Sequence, residues 1–483
     1  MNHRRGLDRH QTLLLPERLE DYIAPDNPVR FLEAFVAALD LHALRFAHAV
    51  VPNTGRPPYD PAALLRLYLY GYLHRVRSSR MLEAECHRNV EVLWLLGKLT
   101  PDHKTIANFR KDNVQPLQAV TRQFTLLCRK LELFGGQLAG IDGTKLSAVN
   151  SKDANFNEKK LNELIARTDA RLVEYLAQLD QADAAEPASH QPTRAELEAK
   201  IAALREKKEW HQELRAQLDA EDKQISVTDA DARRMRAGHS GGSVVGYNAQ
   251  AAVDAKHKLI AAADVTNEET DVQQLANVAQ QAKETLGVDQ LEVVADRGYY
   301  SNAEVSLCEE RGITAYIAKP DTSANTKAGL FGKSRFTYDA QKDVYVCPAG
   351  KELTHRFNTE EKGRQLHYYR SSDCRSCVLK KQCTRNQGNR TITREANEAV
   401  MEAMAARVAA HPAKMKLRKQ LCEHPFGTIK RWFGYTHFLL KGLAKVRCEW
   451  NLMTLAYNLK RVLNLVSFEK LMAAVGGQGA SIA

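Results

Sequence analysis

Long apolar runs are absent from this chain, and that absence excludes the first class of proteins to consider. No stretch approaches the roughly 20 apolar residues that a membrane span requires. No secretory leader is expected either. The basic Met1-Asn2-His3-Arg4-Arg5 is followed only by Leu13-Leu14-Leu15 before Pro16, too short for a signal core. Cysteine is scarce, with nine in 483 residues, odd in number and scattered. That usage argues for a reducing cytoplasm and against a disulfide framework. Acidic charge is scarce near the C-terminal end. Between Arg407 and Arg461 only Glu423 and Glu449 oppose Arg407, Lys414, Lys416, Arg418, Lys419, Lys430, Arg431, Lys441, Lys445, Arg447, Lys460 and Arg461. With a formal net charge of +11 and a pI near 9.1, the chain suits a polyanionic partner, and nucleic acid is expected.

Three acids stand out against that background. Asp142 ends the apolar run Leu138-Ala139-Gly140-Ile141, and Asp296 ends Leu291-Glu292-Val293-Val294-Ala295. An apolar run ending in Asp reads as a buried strand with a carboxylate at its tip. Glu423 lies seven residues before Lys430, nearly one face of a helix. Two strand tips and a helical Glu offer oxygen ligands for two magnesium or manganese ions, the arrangement that cuts and joins nucleic-acid strands. The plain alternative for an Asp at a strand end is a turn or cap, as Asp254 shows in Asp254-Ala255-Lys256. Glu449 is the rival third acid, and since Glu423 is preferred, Glu449→Ala is expected to be neutral. Pro425 so close after Glu423 suggests that Glu423 begins a helix.

The length calls for several domains. Residues 1–135 read as a helical N-terminal DNA-binding domain. Within it, Leu64, Leu65, Leu67, Tyr68, Tyr70, Gly71 and Leu73 predict a helix buried all round. The stretch from Thr100 to Lys111 predicts a short helix presenting Lys104, Asn108 and Arg110 to a DNA groove, or an ordinary charged surface helix. Residues 136–156, 243–320 and 396–465 read as a mixed α/β catalytic core. Its elements are a strand at Asp142, a hairpin from Val244 to Val265, a helix from Asp271, the Asp296 strand, a helix and a last strand. Residues 157–242 carry two amphipathic helices joined by an Ala/Asp/Ser/Pro linker, hence an inserted helical hairpin. Residues 321–395 form a loop-rich Cys insertion, and 466–483 a tail. Cys347, then Cys374-x2-Cys377-x5-Cys383, predict a structural zinc site, with His355 and His367 as substitute ligands and reduced free thiols as the alternative.

Taken together, Gly140-Ile141-Asp142-Gly143-Thr144, Val244 to Gln250, Ala295-Asp296-Arg297-Gly298-Tyr299-Tyr300 and Cys422-Glu423-His424-Pro425-Phe426-Gly427-Thr428-Ile429-Lys430-Arg431 resemble the motifs of DDE-type insertion-sequence transposases. Gly434 through Arg461 is similar to the closing helix of such proteins, and Gly55 through Arg110 to their helical N-terminal domain. The resemblance implies a ribonuclease H-like core in which Asp142, Asp296 and Glu423 hold two Mg2+ or Mn2+ ions and Lys430 contacts transposon-end DNA. The related Tyr/Arg signature before the Glu is not matched, since Lys416 and Lys419 stand there and Arg418 is one place off. Double-stranded DNA, as element ends and target, is the implied partner. DNA contacts are expected at Lys430, Arg431, Lys419, Arg418, Lys104, Asn108 and Arg110, with a homodimer assembling on DNA in a bacterial cytoplasm. A DNA-binding descendant without catalysis and a nuclease without a joining step are the alternatives.

Overall fold

The computed structural model describes all residues except 1–17, 52–53, 55–56, 185–192, 219–223, 238–241, 321–322, 362 and 477–483. The basic N-terminus, Gly55 and Arg56, the linker residues 185–192 and the end of the tail therefore lie outside the described residues. Among the described residues no helix is long and apolar enough to cross a membrane.

Five strands make the central sheet: β1 (Leu138–Ser147), β2 (Gly242–Asp254), β3 (Ile260–Thr266), β4 (Leu291–Ala295) and β5 (Ile313–Ile317). β2 pairs antiparallel with both β1 and β3, while β1, β4 and β5 run parallel. The order is therefore β3-β2-β1-β4-β5, with a short edge strand, Arg233–Ala237, beside the start of β2. This mixed sheet, a hairpin meander followed by two parallel crossovers, is what the expected ribonuclease H-like core requires. Both crossovers are helical. α1 (Leu275–Leu286) precedes β4, and α2 (Asn302–Glu310) links β4 to β5.

Each face of the sheet is sealed by a different set of helices. Ala139, Ile141, Val293 and Ala295 pack with Leu275, Val278, Ala279 and Ala282 of α1. Tyr247, Ala249, Ala251 and Val253 join a second cluster with α3 (Pro412–Gly427) and α4 (Leu443–Leu465). That cluster continues into the N-terminal helices through Phe31, Leu65, Tyr68 and Phe124, so helices and sheet share one core. The helix Pro61–Leu73 is buried on nearly every face, as its sequence predicts. α4 is bound to the sheet by polar groups too. Asn458 accepts from the Ile260 amide and donates to the Ile260 carbonyl, each at 2.8 Å, completing a strand edge that has no neighbouring strand there.

The insertions differ in how well their sequences foretell them. Glu158–Ala184 and Arg194–Ala216 form the helical hairpin, and Leu161, Leu197, Ile201 and Leu214 are its buried residues. Thr193 and Glu196 close the capping box. The Cys-bearing segment is not loop-rich as expected. It is a five-stranded antiparallel meander whose core is Phe336, Tyr345, Leu353, Tyr369 and Ile392. Its strands are short and charged, and Glu352–Glu361 is exposed at most positions, so little apolar alternation marks them in the sequence.

Glu449 has a structural role. It is fully buried on α4, accepts the Leu439 amide at 2.9 Å and the Leu440 amide at 3.0 Å, and pairs with the buried Arg77 of the N-terminal helices at 3.2 Å. Burial pushes its carboxyl up, against the pull of Arg110 and Arg77. The rival third acid is thus a clamp far from the strand tips, and the expected neutrality of Glu449→Ala is corrected. Removing one partner of a buried pair leaves the other charge unpaired. Glu449→Ala is expected to lower stability by about 3 kcal/mol, read from urea unfolding, and an unchanged midpoint would contradict the clamp.

Candidate active site

β1 and β4 lie side by side and parallel, with Ile141 opposite Ala295. The next residue in each segment is the acid, so the pairing brings Asp142 and Asp296 together where β4 ends; β1 itself runs on to Ser147, so Asp142 stands mid-strand and not at the strand tip expected of it. Each is anchored in the same way. The Gly143 amide donates to Asp142 Oδ1 at 2.8 Å, and the Gly298 amide donates to Asp296 Oδ1 at 2.6 Å. Asp296 does cap a short turn, Arg297–Tyr299, so cap and site acid are one residue. The other Asp142 oxygen, Oδ2, faces the Arg418 guanidinium of α3 at 3.4 Å. Burial pushes the Asp142 carboxyl up to about 6, Arg418 and the Gly143 amide pull it down, and the charges of Asp296 and Asp271 add to the rise.

Asp271, unremarked in the sequence, lies in the turn before α1 and belongs to this group. Its Oδ1 accepts from Asn248 Nδ2 at 2.7 Å, from Gln250 Nε2 at 2.8 Å and from Lys145 Nζ at 3.4 Å. Asn248 and Gln250 are wholly buried, and the Tyr299 hydroxyl donates to Gln250 Oε1. Two polar residues spaced by two on a strand otherwise lined with alanine and valine were the available signal. Burial pulls the Lys145 ammonium down, while Asp271, Asp142 and Asp296 oppose it.

The other expected site residues fall in different places. Glu423 is not at a helix start: it stands near the C-terminal end of α3, its side chain 65% exposed, 3.9 Å from Lys419 one turn earlier. Pro425 is accommodated inside the helix, which then widens into a π-helical turn, Thr428–Trp432. Lys430 rides on that turn. Its ammonium donates to the Lys145 carbonyl of β1 at 3.1 Å, and burial pulls its pKa down. The turn is held by Trp432, whose ring lies 3.9 Å from the Arg75 guanidinium and 4.5 Å from the Lys460 ammonium.

Several basic residues are engaged by acids that the local sequence does not reveal. Arg407 pairs with Glu309, Lys414 with Glu292, Arg418 with Asp142 and Arg447 with Asp264. Lys416, Arg431, Lys441 and Lys445 are exposed, as are Lys104 and Asn108 on the helix His103–Asp112. Arg110 is corrected outright. It is 7% exposed, over the Tyr68 ring and 3.5 Å from the Tyr72 hydroxyl, and cannot meet DNA.

Cys347, Cys374, Cys377 and Cys383 line one small cavity of about 30 Å³ with Phe336 and Leu353. Burial raises the Cys383 thiol, Arg390 opposes, and the other three thiols add to the rise. His355 and His367 stack near each other on the adjoining strands and are not among the cavity's lining residues. As the side chains stand, no group of three or more His, Cys, Asp or Glu among the described residues is set to hold a metal ion. The acids nonetheless suit a hard divalent cation in kind, since all are carboxylates with one oxygen anchored by backbone or amide donors.

Two family models match the chain. Residues 346–463 match a transposase DDE domain, and residues 17–112 match an N-terminal transposase domain, DUF772. The chain thus carries one segment similar to a transposase DDE domain and another similar to an N-terminal transposase domain. Glu423 and Lys430 fall within the first span, and Asp142 and Asp296 outside both. No curated protein is significantly similar in sequence. A solved structure of the piggyBac transposase synaptic complex with hairpin DNA aligns over 94% of this chain and 80% of its own, at 9% identity and a TM-score of 0.30. At that score the likeness says nothing of this chain's mechanism.

The contrast between Arg110 and Lys104 is testable. Arg110→Ala is expected to lower stability by about 2 kcal/mol and leave DNA affinity of the folded protein unchanged. Lys104→Ala should spare stability and reduce the salt slope of DNA binding by about one unit. Salt-titrated binding of both variants checks the pair, and a lost DNA contact for folded Arg110→Ala would contradict the buried placement.

Proposed function

We propose that the protein cleaves phosphodiesters at the ends of an insertion sequence and joins the freed 3′-hydroxyls to target DNA. The observation that carries the reading is the convergence of Asp142, midway along β1, and Asp296, at the end of the adjacent parallel β4, in a chain with segments similar to transposase domains. Divalent cations, when bound, supply the Lewis acidity that hydrolysis and the following in-line attack need. Asp142 and Asp296 would hold them, and Glu423 would join from α3 once DNA draws that exposed side chain inward. Lys430, resting against the β1 backbone, would seat the scissile phosphate beside the two acids. Lys416, Lys419, Arg431 and Lys104 would carry the nonspecific phosphate affinity, on a homodimer assembled on DNA in the bacterial cytoplasm.

The exposure of Glu423 favours one second reading, a DNA-binding descendant without catalysis. End cleavage separates the two. Asp142→Ala, Asp296→Ala and Glu423→Ala are each expected to abolish cutting of a duplex carrying the element's terminal repeat while binding survives. Wild-type protein that binds the ends in Mg2+ yet never cuts them would favour the second reading. Lys430→Ala should cut on the order of 100-fold more slowly at saturating enzyme, and Lys430→Arg should recover part of the loss.

The same proposal includes a structural zinc at Cys347, Cys374, Cys377 and Cys383, supported by their shared cavity. Protein purified without chelator should carry one zinc per chain. Less than about half an equivalent would point to free thiols, given the binding energies of such sites.

A further inference from the structure

One carboxylate lies against both glycines that follow Asp142 and Asp296. A Cβ placed on Gly143, the residue after Asp142, would stand 2.8 Å from Asp271 Oδ1 and 2.5 Å from Gln250 Nε2. A Cβ placed on Gly298, two residues after Asp296, would stand 3.7 Å from Asp271 Oδ2 and 2.8 Å from Asp296 Oδ1. Asp271 therefore spans the gap between the two loops that carry Asp142 and Asp296. The missing side chain at position 143 leaves room for it, since a Cβ there would collide with Oδ1.

The two oxygens of Asp271 have different surroundings. Oδ1 is saturated by Asn248, Gln250 and Lys145. Oδ2, on the Asp296 side, accepts no hydrogen bond among the described residues and is not a buried unsatisfied atom. Anchoring one oxygen and leaving the other open is also the pattern at Asp296 and, apart from Arg418, at Asp142. The buried donors behind Asp271 would be costly to assemble without a charge to receive them. Lys145 balances part of the negative charge that three carboxylates concentrate here.

Resting on the proposed function, we infer that Asp271 is a further acid of this site, supplying Oδ2 to the same divalent cation as Asp142 and Asp296. Its layer of the fold differs from that of Glu423. Asp271 comes from the α1 side of the sheet and Glu423 from α3. Since no three acids among the described residues are set to hold a metal as the side chains stand, the three Asp residues would draw together on the cation as it enters, and Glu423 would contribute once DNA is in place. Arg418, now on Asp142 Oδ2, must give way as the cation enters.

The test is Mn2+ binding by the full-length protein without DNA, followed by the paramagnetic signal of free Mn2+. Asp271→Asn keeps size and shape and is expected to weaken Mn2+ at least tenfold. Asp142→Asn should do likewise, and Glu423→Gln should change it less than twofold. Thermal unfolding in chelator checks that Asp271→Asn is folded. If it is not, Gly143→Ala replaces it, with the same loss of Mn2+ expected from crowding Asp271 and its amide partner Gln250. Wild-type affinity in the folded Asp variant, or in Gly143→Ala where that replaces it, overturns the inference and leaves the transposase reading standing. Wild type that binds no Mn2+ also overturns it. Wild type that binds Mn2+ through Asp271 but cuts no element end overturns the transposase reading alone.

Discussion

Parallel pairing of β1 with β4 is the constraint on which the rest of this structure depends. It aligns Ile141 with Ala295 and so sets two carboxylates side by side where β4 ends. Burial disfavours the ionised form of Asp142 first, and the like charges of Asp296 and Asp271 add to it, so the upward push on Asp142 records both costs. Everything nearby offsets it. Backbone amides take one oxygen of each acid, Arg418 faces the second oxygen of Asp142, and Lys145 stands behind Asp271. A carboxylate end held this way is poised for a cation, because a bound cation would relieve the repulsion that folding imposes.

The two faces of the sheet make this arrangement rigid. α1 and α2 cover one face and α3 and α4 the other, so the two acids emerge between two packed layers. Polar groups from both layers reach the site without leaving buried donors idle. Asn248 and Gln250 sit on an apolar strand, fully buried, and they are satisfied by Asp271, by Tyr299 and by each other. The N-terminal region is fastened to the closing helix by the Arg77–Glu449 pair, and to the segment before that helix by the Tyr435 hydroxyl, which donates to the Tyr72 carbonyl. A helical region expected to read DNA is thereby tied to the helix that covers the catalytic face.

Much of the fold was legible in the sequence because local pattern and tertiary burial agree there. The Asp142 and Asp296 strands are apolar runs closed by a charge, and the Pro61–Leu73 helix is apolar all round because it is buried all round. Legibility failed where the deciding partner is distant. Arg110 looks like a polar-face residue until Tyr68 and Tyr72 close over it. The basic run before Arg461 looks unopposed because Glu292, Glu309 and Asp264 approach from other elements. Asp271 has no motif of its own, and its place follows only from the pairing of β1 and β2 beside the turn before α1. Pro425 suggests a helix start, whereas a widened turn after it lets the helix continue.

The central claim is that a divalent cation binds where β4 ends beside Asp142 of β1. Iron-directed self-cleavage locates such a cation without DNA and without reference to activity. The protein is loaded with Fe2+ in place of Mg2+, treated with ascorbate and peroxide, and the fragments are sequenced. The account predicts backbone scission close to Asp142, Asp271 and Asp296, competed by Mg2+ and lost in Asp142→Ala. Scission confined to other segments, or the same pattern in Asp142→Ala, would contradict it.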